Sequence, residues 1–212
     1  MFVRDYMTKR VISAPPDMLI HDAQQLMKQH NIRRLPVVDN GKLLGIVTQS
    51  RLREVSPSPA TSLSVWELNY ILAKMKVSEA MSRNVITTTP DTTLEDAALL
   101  GNRHGVGALP VIEEGRLVGI ITATDIYNIF IEVLGTGEKG LRLQIHQHQT
   151  AKEYPAGEIA GVMTKRGLPI HSIFKVQAPG RPHPDVIVRL ACREADAAVE
   201  DLVALGFKVE VS

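Results

Sequence analysis

The sequence predicts an α+β protein built from two repeated units, packed as a pseudo-two-fold pair, and a third domain of different pattern. Residues 3–52 align without a gap to residues 77–126, at an offset of 74, and eighteen of the 50 pairs are identical. From Gly140 onward this pattern ends, and the predicted strands and helices follow the order βαββαβ. We therefore predict three domains, at residues 1–60, 61–137 and 138–212.

The composition argues against several functional classes. Hydrophobic residues make up 44% and charged residues 22% of the chain, which is typical of a folded globular protein. Lys and Arg number 24 against 23 for Asp and Glu, so no net field attracts nucleic acid or an acidic membrane surface. Cys192 is the single cysteine, and no run reaches the ~18 apolar residues that span a bilayer. We expect a cytoplasmic protein that binds neither nucleic acid nor membrane.

The repeated unit is predicted as a strand, a helix, a hairpin and a second helix. In the second copy, residues 85–88 are β-branched and precede Pro90, which predicts a short strand and a turn. Thr93 and Asp96 have the spacing of a capping box before a helix. A hairpin follows at residues 109–121, and the last helix carries an apolar stripe that stops at Gly135. Two copies are too few for a stacked solenoid, so each is expected to cover the other's apolar face.

The segment between the copies begins as a stiff linker. Residues 56–59 hold two prolines, each of which fixes its own φ and restricts the residue before it. Residues 64–67 then have the spacing of a capping box, and a helix is expected to present the apolar residues Val65, Leu68, Leu72 and Met75 on one face. We interpret Trp66 as the anchor of this helix by core packing.

The segment from Gly119 to Asp125 combines the end of a strand with the start of a helix. Unpaired backbone N–H groups and the positive end of the helix dipole point outward there, which suits a phosphate. The Thr122 hydroxyl can add a hydrogen bond, and an ionised Asp125 can accept from paired hydroxyls such as those of a ribose. The alternative is that the pair forms only a capping box, worth about 1 kcal/mol of helix stability.

Several motifs occur twice at the same spacing: Leu-Pro-Val, Gly-x-Leu-x-Gly-Ile, and a Thr three residues before Arg51 or Asp125. The pair resembles a tandem cystathionine beta-synthase (CBS) domain pair, or Bateman module. That resemblance implies a regulatory, non-catalytic module that binds an adenosine-containing ligand (AMP, ADP, ATP or S-adenosylmethionine) between the copies and requires no other cofactor. It assigns ligand contacts to Thr122, Asp125 and Thr48, with the purine near Ile86 and Thr87 and further contacts at Ala108, Leu109 and Pro110.

The two copies differ at two positions that bear on the ligand. Arg51 stands in the first copy where the second has Asp125, and Arg has no acceptor for a hydroxyl proton. That cleft is expected to be empty, or to hold its ligand through phosphate contacts. Before Leu-Pro-Val the first copy has Arg33 and Arg34, and the resemblance places basic residues there against ligand phosphates. A solvated basic pair on a turn is the alternative.

The C-terminal part is predicted as strand 141–147, helix 156–165, strands 170–177 and 185–192, helix 195–205 and strand 208–211. This order is the ferredoxin-like arrangement. Tyr154, Pro155 and Gly157 at the first strand-to-helix turn resemble the motif of an ACT domain, which implies an amino-acid ligand at those residues. A CBS pair followed by an ACT domain is similar to the AcuB-like regulators of acetoin utilisation.

Three further motifs are interpreted as structural. Residues 135–140 match G-x-G-x-x-G but follow a helix and precede a strand, the reverse of a dinucleotide-binding turn, so we interpret them as a hinge. His146 and His148 share a strand face, but no third ligand is evident and we predict no metal. Cys192 lies in an apolar strand pattern and is expected to be a buried thiol without a catalytic role.

Three functional hypotheses follow. The first is a nucleotide-responsive regulator that forms a homodimer, through helix faces such as residues 126–134, and acts on an enzyme or a transporter. The second is a scaffold with empty clefts, which Arg51, Gly107 and Ala108 favour. The third is an enzyme with a cryptic C-terminal site, which the lack of an acid–base or nucleophile constellation disfavours.

Overall fold

The two repeat copies fold alike in the computed structural model, which describes residues 1–54, 74–135, 140–146, 155–177, 179–180 and 183–212. The first copy contains helix α1 (Val3–Tyr6), helix α2 (Ile20–Gln29), strands β1 (Arg34–Asp39) and β2 (Lys42–Thr48), and helix α3 (Gln49–Glu54). The second contains α4 (Val77–Ala80), α5 (Leu94–Arg103), β3 (Ala108–Glu113), β4 (Arg116–Thr122) and α6 (Ala123–Val133). The described residues do not include the predicted linker with its prolines at 57 and 59. They also exclude Trp66 and most of the helix predicted around it.

Each copy is organised around a two-stranded antiparallel hairpin. Asn40 and Gly41 turn the first hairpin with φ of 49° and 83°, and Glu114 and Gly115 turn the second with 49° and 76°. Left-handed φ at both turn residues gives the type of two-residue loop that matches strand twist. Both hairpins shift register at the same repeat position, between Val37 and Val38 and between residues 111 and 112.

The first segment of each copy is not the predicted strand. Residues 85–87 carry no strand, and Thr88 forms a single parallel bridge with Val111 of β3. Ala14 forms the equivalent bridge with Val37 of β1. The stretch is extended, but it does not build a ladder.

The two copies pair by exchanging backbone hydrogen bonds. The Thr8 amide donates to the Ile120 carbonyl at 2.9 Å, and the Ile120 amide donates back to Thr8 at 3.1 Å. Ser82 and Ile46 make the equivalent pair of bonds at 2.9 and 3.0 Å. Each copy therefore sends its N-terminal segment to the second strand of the other.

The first copy buries a core between its helices and its hairpin. Its fully or nearly fully buried side chains are Ile20, Ala23, Met27, Leu35, Val37, Val47 and Leu52, and Val77 and Ala80 of α4 join them. On α6, Ile126 and Ile129 are buried at 8% and 7% exposure, so they are not the free apolar surface expected for a dimer. The exposed apolar residues of that helix are Tyr127 and Val133.

Residues Tyr127–Ser212 form a second unit, distinct from Met1–Ile126. Its elements are β5 (Leu141–His146), α7 (Ala156–Lys165), β6 (Ile170–Val176), β7 (Asp185–Leu190), α8 (Asp196–Ala204) and β8 (Lys208–Val211). The strands form one antiparallel sheet in the order β6-β7-β5-β8. Alternate strand residues pack with the two helices into one core of Leu143, Ile145, Ile159, Met163, Val188 and Leu202. Arg166, after α7, makes a bidentate pair with Asp201 of α8, with both N···O distances 2.7 Å.

Among the described helices, none combines the length and the apolar character that crossing a membrane requires.

Candidate functional site

Thr122 and Asp125 lie at the first turn of α6, where β4 ends. The Thr122 amide and hydroxyl both donate to Asp125 Oδ2, at 2.8 and 2.7 Å, and the Asp125 amide donates to Thr122 Oγ1 at 3.2 Å. These bonds form a reciprocal capping box, which is the helix-capping role considered for Thr122 and Asp125 from the sequence. In the described part of the chain, Asp125 Oδ1 has no hydrogen-bond donor, and it keeps its acceptor capacity.

These two residues face a cavity of about 430 Å³, here named the Asp125 cleft. Ile120, Thr122, Thr124 and Asp125 of the second copy form one wall. The rest is supplied by the first copy: Thr8, Arg10, Val11, Ile12, Asn31, Ile32, Arg33, Arg34 and Pro36. The cleft therefore lies between the copies, as the exchange of N-terminal segments requires.

The Asp125 cleft is rich in positive charge. Arg10, Arg33 and Arg34 line it, and Asp125 is the one carboxylate among its described lining residues. Within the described ranges, none of the three guanidinium groups has a carboxylate at ion-pair distance. Unpaired guanidinium groups beside a helix N-terminus favour an anionic ligand.

Arg34 reaches its position because the second copy has a glycine at residue 107. An ideal Cβ on Gly107 would lie 2.5 Å from Nη2 of Arg34. The Cα of Arg34 itself pairs with Thr48 in the first hairpin, so the side chain reaches from one copy to the other. The difference in sequence between the two copies therefore has a structural reason, because Gly107 of the second copy leaves the space that the side chain of Arg34 occupies.

A second cleft of about 410 Å³ occupies the equivalent place on the other side of the pair, and we name it the Arg51 cleft. Thr48 caps α3, since the Arg51 amide donates to Thr48 Oγ1 at 3.1 Å. Arg51 pairs with Glu54 of the same helix at 3.2 Å. The predicted residue Thr48 is thus separate from Thr122 and Asp125, in a cleft where a cation replaces the acid.

Five predicted contact residues do not line the Asp125 cleft: Ile86, Thr87, Ala108, Leu109 and Pro110. Leu109 is 2% exposed, which places its side chain in the core. Ala108 is also buried, and its Cα pairs with Thr122 across the second hairpin. Three of their repeat partners, Ile12, Arg34 and Pro36, line the cleft instead. The reason is the pseudo-two-fold arrangement, which joins the helix start of one copy to the N-terminal segment of the other.

The sequence prediction missed Thr8, Arg10, Val11 and Ile12. A signal for two of them was present, because Val11 and Ile12 are the repeat partners of Val85 and Ile86. Applying the two-fold relation to the predicted purine position would have placed Ile12 beside Asp125.

The predicted amino-acid site is described only in part. Tyr154 lies outside the described residues. Pro155 is the N-cap of α7, and Gly157 is exposed, with open space where a Cβ would stand.

The C-terminal sheet carries a polar cluster on β5, β7 and β8. Asp185 is buried and accepts from Gln144 Nε2 at 2.7 Å, and its Oδ1 lies 2.9 Å from His146 Nδ1. His146 Nε2 lies 2.9 Å from Glu210 Oε1. The other predicted member of the histidine pair, His148, lies outside the described residues, and within them no group of three or more His, Cys, Asp or Glu side chains is arranged so that it could hold a metal ion.

Cys192 differs from its prediction. β7 ends at Leu190, so Cys192 follows the strand, is half-buried, and donates to the Glu194 carbonyl at 3.4 Å. Beyond Leu190 the Ala191 amide still donates to the Pro169 carbonyl, and the Cys192 carbonyl accepts from the Leu141 amide.

The CBS domain family model matches residues 3–58 and 77–132, which together exceed half of the chain. The protein therefore belongs to the CBS domain family and contains a tandem CBS pair. The matched residues end at residue 132, before β5, the first strand of the C-terminal sheet.

Curated relatives match over the same region. The CBS domain-containing protein YhcV of Bacillus subtilis is 32% identical over 124 residues, which are 58% of this chain and 81% of YhcV. The L-aspartate semialdehyde sulfurtransferase of Methanocaldococcus jannaschii is 33% identical over 132 residues. These residues are 60% of this chain but only 23% of that enzyme.

Solved structures of CBS proteins are similar to the paired copies. A putative acetoin utilization protein (AcuB) from Vibrio cholerae is 32% identical with a TM-score of 0.54, over 64% of this chain and 93% of AcuB. The CBS pair of protein MJ0100, in complex with 5′-methylthioadenosine and S-adenosyl-L-methionine, is 30% identical with a TM-score of 0.50, over 61% and 95%. CBSX2 of Arabidopsis thaliana, in complex with AMP, is 27% identical with a TM-score of 0.52, over 62% and 97%.

Proposed function

We propose that this protein is a regulatory sensor that binds an adenosine-containing ligand in the Asp125 cleft. The observation that carries the proposal is the meeting of Thr122 and Asp125 of one copy with Arg33 and Arg34 of the other. The complexes of MJ0100 with methylthioadenosine and S-adenosylmethionine and of CBSX2 with AMP support the ligand class.

The cleft offers a partner for each part of such a ligand. Asp125 Oδ1 accepts from ribose hydroxyls while Oδ2 stays in the capping box. Arg33 and Arg34 donate to phosphate, together with the amides at the start of α6. The half-buried Val11 and Ile12 supply an apolar surface for the purine. In this arrangement the purine contacts predicted for Ile86 and Thr87 are made by Val11 and Ile12 of the first copy instead.

The proposal expects one tight site per chain. In the Arg51 cleft Arg51 stands at the position equivalent to Asp125 and is paired with Glu54. The residues equivalent to Arg33 and Arg34 are Gly107 and Ala108, which carry no charge. That cleft is proposed to bind the ligand more weakly or to stay empty.

Regulation follows from the position of the cleft between the copies. A ligand that contacts both copies favours the arrangement in which those contacts are made together, and so shifts the population toward it. We propose that the response is passed to an enzyme or a transporter in the cytoplasm, and that the chain itself catalyses no reaction and requires no other cofactor.

We also propose that the C-terminal unit is a ferredoxin-like domain of the ACT type, which binds an amino acid near Tyr154, Pro155 and Gly157. The order βαββαβ and the strand order β6-β7-β5-β8 support it. Isothermal titration of the twenty amino acids against the full chain tests this proposal, and absence of any binding would refute the ligand.

A homodimer is proposed as the working state. Two features support it. Tyr127 and Val133 on α6 are exposed apolar residues. Among the described strands, β6 and β8 lie at the two edges of the C-terminal sheet, where a second copy can pair. Light scattering at micromolar concentration should show twice the chain mass, and a monomer with and without adenine nucleotide would refute it.

A thermal-shift panel tests the main proposal. Adenosine-containing ligands at 100 times Kd should stabilise the protein by about 2.7 kcal/mol. Asp125→Ala should remove the shift, because it deletes the ribose acceptor. Asp96→Ala is the matched control, since Thr93 and Asp96 form a similar capping box on α5 that does not line the cleft. No shift with any adenosine compound would refute the ligand class.

A further inference from the structure

Besides the Asp125 cleft and the Arg51 cleft, a third cavity of about 370 Å³ lies on the first copy and shares lining residues with the Asp125 cleft. We name it the basic pocket, and it is lined by Lys28, Arg33, Arg53, Asn31, Ile32 and Gln49, among others. Asn31, Ile32 and Arg33 belong to both cavities. Arg33 therefore offers its guanidinium group at the boundary of the two cavities.

The charge of the two cavities is strongly one-sided. Their cationic side chains are Arg10, Lys28, Arg33, Arg34 and Arg53, and Asp125 is the one carboxylate among the described lining residues. None of the five cations has an ion pair within the part of the chain that the structure describes. Unpaired like charges repel one another, and an anion between them removes that cost.

The repeat shows that the fold does not need these charges. The residues of the second copy at the same five positions are all uncharged: Asn84, Asn102, Gly107, Ala108 and Tyr127. The two copies nevertheless have the same elements and the same hairpin registers. The five cations are thus a feature of one cleft and its neighbour, and not a requirement of the repeat.

We infer that the Asp125 cleft and the basic pocket form one continuous site for a nucleotide with an extended polyphosphate. The inference rests on the proposed function for its adenosine end. Asp125 takes the ribose, Arg33 and Arg34 take the first phosphates, and Lys28 and Arg53 take the terminal phosphates. The site therefore selects a nucleoside triphosphate over a monophosphate or an uncharged-tail ligand such as methylthioadenosine.

Calorimetry with adenosine, AMP, ADP, ATP and inorganic tripolyphosphate tests this inference, in magnesium-free buffer at constant ionic strength because screening weakens such contacts. For the unaltered protein, ATP should bind about tenfold or more tightly than AMP, since charge-assisted hydrogen bonds to the added phosphates contribute at least that much. Equal affinities for AMP and ATP would overturn the inference and leave the proposed function standing.

A double variant locates the terminal phosphates. Lys28→Asn with Arg53→Tyr puts the second copy's own residues at two exposed positions, so the fold is expected to tolerate it. It should weaken ATP by about tenfold and leave AMP within about twofold. The control is Lys42→Gln with Arg103→Gln, which removes the same charge from exposed positions outside both cavities and should leave the ATP-to-AMP ratio unchanged. An unchanged ratio in the first variant would overturn the inference.

The same titrations distinguish failure of adenosine binding from failure of polyphosphate binding. If no adenosine compound binds, the proposed function fails. Tripolyphosphate binding that the Lys28→Asn, Arg53→Tyr variant abolishes would then still support a polyphosphate site, and absence of tripolyphosphate binding would overturn it.

Discussion

Thr122 and Asp125 hold each other in a reciprocal capping box, and three arginines that have no ion pair among the described residues line the same cleft. Thr93 and Asp96 make a similar box at the start of α5, with the Asp96 amide 3.1 Å from Thr93 Oγ1. Only the first of these boxes lines the cleft. A Thr–Asp pair therefore caps a helix twice in the second copy, once at the cleft and once away from it, so stability can be separated from binding.

Replacing either acid by alanine should lower the stability of the free protein by a similar amount. Asp125→Ala and Asp96→Ala each remove an acceptor at the first helical turn, and each should cost about 1 kcal/mol. The change in helix propensity is the same for both, so it cancels in the comparison. Urea unfolding of the two variants measures the effect. A loss several times larger for Asp125→Ala would mean that this carboxylate also holds the copies together.

Gly45→Ala should destabilise the CBS pair more than Gly119→Ala. An ideal Cβ on Gly45 would lie 2.7 Å from the backbone oxygen of Ser82, whereas at Gly119 the three nearest atoms all belong to the flexible side chain of Met7. Neither glycine has a left-handed φ, so the contact decides the outcome. We expect a loss of about 1–3 kcal/mol for Gly45→Ala and less for Gly119→Ala. Equal midpoints in thermal unfolding would show that the Ser82 segment moves aside easily.

Asp185→Ala should destabilise the C-terminal unit. The substitution takes an acceptor from Gln144 Nε2 and from His146 Nδ1, both of which lie on β5 beside the buried carboxylate. Loss of such a partner costs about 1–3 kcal/mol. Glu194→Ala, at an exposed position, is the control and should have little effect. Urea unfolding followed by far-UV circular dichroism checks both, and a wild-type midpoint for Asp185→Ala would contradict this account.

The Arg166–Asp201 pair should make stability depend on pH. The hydrogen bonds from Arg166 lower the pKa of the Asp201 carboxyl below its ordinary value of 3.8. The stabilisation is therefore fully present above the unfolded pKa and is lost as the pH falls through the lower folded pKa. Melting temperatures of wild type and Asp201→Asn should differ slightly near neutral pH and converge in acid, while Glu158→Gln follows wild type. A difference that grows in acid would contradict the assignment.

Elements with strong local signals were predicted well. The helix at residues 156–165 and the strand at 208–211 have the predicted bounds, and Thr93 is the N-cap of α5 as predicted. These features depend on capping residues and on the alternation of apolar side chains within one segment. Contacts with other segments contribute little to either feature, so the local sequence is enough to predict the bounds of these elements.

The first segment of each copy was predicted less well, because its hydrogen bonds are divided between two hairpins. Ser82 bonds to Ile46 of the first copy, while Thr88 bonds to Pro110 and Ile112 of its own copy. The β-branched residues between them were predicted as a strand, but they carry none, because no single partner strand runs beside them. A pattern within one segment cannot reveal that its partners change along its length.

The acid of the second copy and the arginines of the first were both predicted as ligand contacts, but the purine was predicted near Ile86 and Thr87, on the same copy as Asp125. Arg33, Arg34, Thr122 and Asp125 meet in the Asp125 cleft, whereas Ile86 and Thr87 do not line it. The repeat alignment gives the equivalence of positions and not the way in which the copies face each other. Only the cross-copy hydrogen bonds, such as those of Thr8 with Ile120, establish which residues are neighbours.

Calorimetric titration of ATP and AMP into the full chain, with Asp125→Ala and Asp96→Ala in parallel, tests the central claim most directly. The account predicts one tight site per chain, weakened at least about tenfold by Asp125→Ala and unaffected by Asp96→Ala. Two equal and independent sites, or unchanged affinity in Asp125→Ala, would contradict it.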